Sequence, residues 1–341
     1  SEWKLPHPEC LVGSEANRPP HGAWTQVDYT HQVVRDTMFA IIEEVCRNYD
    51  VDGVELDFFR HPMFFKKVAW GEAAGPEEWA MMNGVVRRIR EVLDREGKKR
   101  GRPFLLAVRA PDDLEFDRKL GLDLETWLKE GWVDLFIPTG YFQLRPWKDS
   151  VDLGHRYGAK VYACLSESRV TGFRSRKPSR MIRLHPRAYR GRALNAWIAG
   201  ADGIYLFNSF NPRSRLWREL GDPALLRTLD RDYFALPRGV GHVAGGTWPY
   251  VFAMRIPTLN PEDPLSLRKD IPRSKPMLIN EDLFALLKRD PDARVTVRVM
   301  APGMTDSADL RVTLNDTALS PSGREGKWWV YTPPAEAFLI R

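Results

Sequence analysis

Along residues 1–235 of this 341-residue chain, short apolar runs alternate with longer segments whose apolar positions fall three and four apart. The runs read as strands at 24–29, 52–58, 104–110, 133–141, 160–168 and 202–210. The segments between them read as helices. In the first, over 30–49, Val34, Met38, Ile41, Ile42 and Val45 keep one face apolar. A second opens at Pro76, a first-turn residue, and runs to about Arg95. Others are predicted at 124–131, 151–157, 186–199 and 213–230. Beyond residue 236 the period drops to two, in RVTVRVMAP (294–302), ADLRVTLNDTAL (308–319) and KWWVYTPP (327–334).

The early strands are near-continuous apolar runs, as in a parallel sheet covered on both faces. Repeated βα units of this spacing make either a doubly wound sheet or a closed (β/α)8 TIM barrel. No G-x-G-x-x-G follows any strand, and polar residues gather at the strands' carboxyl ends, which favours the barrel. Six strands are legible where eight are required. If 202–210 closes the barrel, 52–58 is strand four, and strands one and two would lie upstream of Ser1. A barrel's usual size then leaves about 80–100 residues unaccounted for. An incomplete barrel exposes strand edges, so a complementing N-terminal segment or a second chain is an expected partner. The expected domains are thus a barrel over 1–235 and an all-β sandwich over 236–341, cut short at AFLIR.

Charge and composition change this picture little. The chain is 43% hydrophobic and carries net charge +6, and no apolar run approaches the roughly 20 residues of a membrane span. Three cysteines cannot build a disulfide framework; Cys46 and Cys164 read as small core residues, and no Cys/His spacing suggests a structural zinc. No cofactor and no metal is predicted, nor is nucleic acid, since no helix-turn-helix, RRM or zinc pattern occurs. Two features do bear on chemistry. Twelve tryptophans offer flat rings for sugars, and residues 169–192 hold nine Lys or Arg without one acid.

Within VDGVELDFF (51–59) the period of two puts Glu55 and Asp57 on one side of a strand and Val54, Leu56 and Phe58 on the other. Inward positions at a barrel strand's carboxyl end face the catalytic mouth. The last strand has Tyr205 and Phe207 at the matching positions, so acids are not needed there to close a strand. Glycosidic cleavage uses two carboxyl groups. Asp57 is the expected nucleophile or general base, Glu167 in LSESR the general acid across the mouth, and Glu55 a tuning group, or else a partner of Arg109; Asp112 and Asp113 are reserve acids. Arg60, His61, Arg109, Tyr141, Asn208 and Arg169 are expected around the substrate, with Trp147 and Phe142 as stacking faces.

Three stretches, NYDVDGVELDFFRHPMFF (48–65), LDLETWLKEGWVDLFIPTGYF (122–142) and YRGRALNAWIAGADGIYLFNSFN (189–211), resemble the glycoside-hydrolase-like family ten barrels of polysaccharide-degrading bacteria. The similarity spans about residues 3–234. It implies a TIM barrel with Asp57 at the end of strand four and carbohydrate hydrolysis; separately, a secreted or periplasmic setting is expected. DGVELD is also similar to the chitinase-type strand D-G-x-D-x-D-x-E, but Phe59 stands where that motif has its acid. The expected activity is hydrolysis of a polysaccharide or oligosaccharide, anionic in view of the basic stretch. The alternatives are a uronate lyase, with Tyr141 or His61 as base and Arg60 or Arg109 holding the carboxylate, and a non-catalytic glycan-binding barrel.

Overall fold

The computed structural model describes residues 2–59, 62–140, 145–166, 184–234, 267–301, 303–304 and 310–339. They form two compact units, Ser1–Leu278 and Ile279–Arg341.

In the first unit, strands and helices alternate: α1 (Gln32–Asn48), β1 (Gly53–Asp57), α2 (Lys66–Ala69), α3 (Pro76–Arg100), β2 (Leu105–Pro111), α4 (Leu114–Leu120), α5 (Leu124–Lys129), β3 (Leu135–Thr139), α6 (Trp147–Arg156), β4 (Lys160–Leu165), α7 (Pro186–Ile198), β5 (Gly203–Leu206), α8 (Leu216–Glu219) and α9 (Pro223–Thr228). The five strands are parallel and lie in chain order, β1-β2-β3-β4-β5. A doubly wound sheet reverses its strand order part-way; this one does not, and the unit is a TIM-like α/β layer. Pairing that would close a barrel is not present among the described residues.

The strands' two faces differ. Leu106, Val108, Ala110, Phe136, Val161, Ala163 and Leu165 are buried against helix residues such as Val86, Ile89, Trp127, Val151 and Leu194 in one core. The opposite face is half open: Glu55 is exposed, Leu105 is 37% exposed, and Tyr162 and Tyr205 are half-buried. Among the described residues helices cover one side of the sheet, where the apolar runs implied cover on both.

That open face is concave. Four spacings of 4.7–4.9 Å would hold β1 and β5 about 19 Å apart on a flat sheet. Yet the Tyr205 hydroxyl on β5 lies 3.1 Å from Glu55 Oε1 on β1, and the Arg109 guanidinium on β2 sits 3.9 Å from the centre of the Phe207 ring just past β5. Only a strongly curled sheet brings these side chains together.

Two expected elements differ. Residues 24–29 are not a strand of the sheet: Val27 makes a single antiparallel bridge to Leu11, and Gln26 N–H closes a turn on Ala23 O. The helix expected over 213–230 is two, α8 and α9. Asp222 caps the second through Ala224 N–H and Leu225 N–H, and Pro223 opens it.

The second unit holds α10 (Leu283–Arg289), an antiparallel sheet of β6 (Val297–Met300), β10 (Trp328–Tyr331) and β9 (Pro321–Glu325), and a hairpin of β7 (Val312–Leu314) and β8 (Thr317–Leu319). The turn Asn315-Asp316 has Asn315 at φ 52, the left-handed conformation of tight hairpins. Trp329 and Tyr331 are buried, so the tryptophan pair does not present two free faces.

Candidate active site

β1 and β2 pair with Glu55 opposite Ala107 and Asp57 opposite Arg109. The two-residue period therefore carries Asp57 and Arg109 to the same height on the concave face, at the sheet's carboxyl edge. Arg109 is wholly buried. Its Nη1 donates to Asp57 Oδ1 at 2.8 Å and its Nη2 to Thr139 Oγ1 on β3 at 3.1 Å. The rings of Phe59 and Phe207 flank the guanidinium at 5.4 and 3.9 Å. A cation so placed requires a nearby anion, and Asp57 supplies it.

Asp57 itself remains open, its side chain 32% accessible. Oδ1 also accepts the Phe59 N–H at 3.1 Å, while Phe58 N–H donates to Arg109 O and carries the β1–β2 ladder one bond further. Among the described residues nothing donates to Oδ2. The carboxylate is thus oriented by one oxygen and presented by the other.

Glu55 stands one layer deeper and pairs not with Arg109 but with Tyr205, whose hydroxyl donates to Oε1. Partial burial raises the Glu55 pKa above the ordinary carboxyl value; the Tyr205 hydrogen bond opposes this and the Asp57 charge adds to it. Burial, then Glu55 itself, pushes the Tyr205 phenol well up, so it remains a hydrogen-bond donor. Burial likewise raises the Cys164 thiol, the next inward residue on β4, which makes it a poor nucleophile. One strand therefore offers two carboxyl groups in unlike surroundings, one ion-paired to a guanidinium and one hydrogen-bonded by a phenol, the pattern by which acid and base roles separate.

The other expected site residues divide. Asn208 is exposed just past β5, at φ 55, on the same edge as Asp57. Trp147 is no stacking face: as the first residue of α6 it is 1% exposed and packed in the core. The reserve acids are structural. Asp113 caps α4 through Phe116 N–H and pairs with Arg145 Nε at 2.5 Å; Asp112 accepts the Arg145 N–H at 3.3 Å. Part of the basic stretch is spent internally, since Arg190 forms two hydrogen bonds to buried Glu219 and Arg187 pairs with Asp230. Arg60, His61, Tyr141, Phe142, Glu167 and Arg169 lie outside the described residues.

Tyr205, Thr139 and Phe207 were not anticipated as site residues, although the inward register of 205 and 207 was readable. Phe210, 86% exposed on the loop after β5, is a further exposed aromatic at this edge, and no pattern in the sequence marks it.

No protein-family model and no curated protein matches the chain. Among solved structures, a glycoside hydrolase family 18 N-acetylglucosaminidase from Paenibacillus barengoltzii aligns with 59% of this chain and 77% of its own, at 17% identity and a TM-score of 0.38. A likeness of that degree carries no argument about chemistry, which rests on the residues above.

Proposed function

We propose that the chain is a glycoside hydrolase that cleaves a polysaccharide or oligosaccharide at the carboxyl edge of its parallel sheet. The observation that carries this is the pair Asp57 and Glu55. Asp57 presents an oxygen to which no described residue donates, beside a buried arginine, and Glu55, with its raised pKa, shares the same concave face.

In this mechanism Asp57 attacks the anomeric carbon or activates water through Oδ2, while Arg109 fixes its orientation through Oδ1. Glu55 tunes it from below, with Tyr205 fixing the Glu55 carboxyl. Glu167 is proposed as the acid that protonates the leaving oxygen. Phe210 and Asn208 supply a ring and an amide to the sugar. An anionic glycan, and a secreted or periplasmic setting, remain part of the proposal; the charge that supports the first lies largely in residues 167–183.

The test is reducing-end release from neutral, uronate and sulfated glycans, with near-ultraviolet absorbance recorded for unsaturated lyase products. Asp57→Asn is expected to lower turnover by at least about 10³-fold while far-ultraviolet circular dichroism stays that of the wild type. Full activity in the folded variant, or unsaturated products, would refute the hydrolase mechanism. Glycan binding without release by the wild type would make this a recognition barrel.

A further inference from the structure

Away from the sheet's mouth, the N-terminal segment brings three metal-ligating side chains together. Residues Pro8–Cys10 form one 3-10 turn, held by Cys10 N–H to His7 O at 3.1 Å and Leu11 N–H to Pro8 O at 3.2 Å. The turn is anchored to the body of the unit by Asp28 N–H to Cys10 O at 2.8 Å. It gathers His7 Nδ1, Glu9 Oε1 and Cys10 Sγ within 4.8 Å of one another, the one such group among the described residues.

Two of the three donor separations match a small tetrahedral ion. Bonds of about 2.0–2.1 Å to nitrogen or oxygen and about 2.3 Å to sulfur give donor separations of about 3.3–3.4 Å for N···O and about 3.6 Å for S···O. His7 Nδ1 lies 3.2 Å from Glu9 Oε1, and Cys10 Sγ lies 3.6 Å from the same oxygen. The third pair, His7 Nδ1 and Cys10 Sγ, lies within 4.8 Å, and seating an ion draws it in toward about 3.6 Å. The ligands are also braced: Cys10 is 1% exposed, and the Trp3 ring stacks on the His7 imidazole at 4.6 Å and 29°. His7 is half-buried and Glu9 exposed, so a fourth position faces solvent.

We infer that His7, Glu9 and Cys10 form a divalent-metal site of the zinc class, with three protein ligands and one position for water. One sulfur, one nitrogen and one oxygen donor select a borderline ion such as Zn²⁺ or Co²⁺ over the hard, oxygen-seeking Mg²⁺ and Ca²⁺. Binding breaks the Cys10 S–H bond, forms a sulfur–metal bond and releases one proton to solvent. The site is independent of the proposed glycan chemistry, none of whose residues it uses.

Cobalt titration of the full chain tests this without any activity. One equivalent of Co²⁺ is expected to give a thiolate-to-cobalt charge-transfer band and intense tetrahedral visible bands, both removed by Zn²⁺ but not by Mg²⁺. Cys10→Ser should abolish the charge-transfer band. His7→Ala and Glu9→Gln, which touch no core, should each weaken binding at least about tenfold. Absence of the band at one equivalent, its survival in Cys10→Ser, or wild-type affinity in both His7→Ala and Glu9→Gln would overturn the assignment.

Discussion

The hydroxyl of Tyr205 does two things at once: it fixes the Glu55 carboxyl and it lowers the pKa that burial raises. Replacing Tyr205 by Phe removes the donor and leaves the ring. The Glu55 pKa should then rise further, because burial and the Asp57 charge favour the neutral acid and only the Arg109 charge is left to oppose them. The measurement is a carbon-13 NMR titration of the Glu55 carboxyl, in which Tyr205→Phe moves the midpoint to higher pH. A midpoint that stays put or falls shows that the hydrogen bond does not set the ionisation. Much at this scale was legible. Alternation alone put Glu55, Asp57, Tyr205 and Phe207 on one face. The choice of partner was not: Arg109 joins Asp57 because the β1–β2 register sets them opposite each other, and register belongs to two strands. Trp147 misled for a similar reason, since α6 begins four residues before its apolar pattern does, and burial follows the helix.

Three of the five strands, β1, β3 and β5, follow directly on an aspartate, and for two of them the side chain acts as a staple. Asp134 N–H donates to Leu106 O while its carboxylate accepts Leu106 N–H at 2.7 Å; Asp202 does the same with Val161, at 2.9 Å. At Asp202-Gly203 the D-G step is thus a device of the sheet's amino edge. Burial alone would raise the Asp202 pKa, but the Val161 N–H, His155 and Lys160 bring it down to about 2 from 3.8. A depressed carboxyl stabilises the fold above its unfolded pKa and ceases to do so as pH falls through the folded one. Asp202→Asn should therefore cost about 1–2 kcal/mol in urea unfolding at neutral pH. The deficit should shrink between about pH 4 and pH 2; a deficit constant with pH excludes the staple's charge as its source. Two helix glycines give a paired forecast. A Cβ on Gly154 would meet Val161 Cγ2 at 2.3 Å, where α6 lies against β4, whereas one on Gly84 meets nothing within 4 Å. Gly154→Ala should destabilise by about 1–3 kcal/mol, relieved by adding Val161→Ala, and Gly84→Ala should stabilise by about 0.4–1 kcal/mol. Equal effects at the two sites would contradict the close packing.

For the whole molecule, the change of period near residue 236 announced two units, but the compact units divide at Leu278 and Ile279. Composition marks where texture changes, while contacts decide membership: Leu278 O accepts a hydrogen bond from Asn195 Nδ2 at 3.0 Å and stays with the first unit. Curvature was likewise beyond the sequence, since it emerges only when five strands pair in order. Its consequence is a concave face whose lower part is apolar and partly wet, with Leu105 37% exposed beside half-buried Ala107, Leu135 and Tyr162. A closed barrel would fill this space with side chains. Apolar surface open to water in a hollow binds amphipathic dyes, so the native chain should enhance the fluorescence of anilinonaphthalene sulfonate at neutral pH. Leu105→Lys should reduce that signal without changing circular dichroism, because the residue faces the hollow and not the helices. A native chain that leaves the dye dark would mean the face is covered, by more of this chain or by a second molecule.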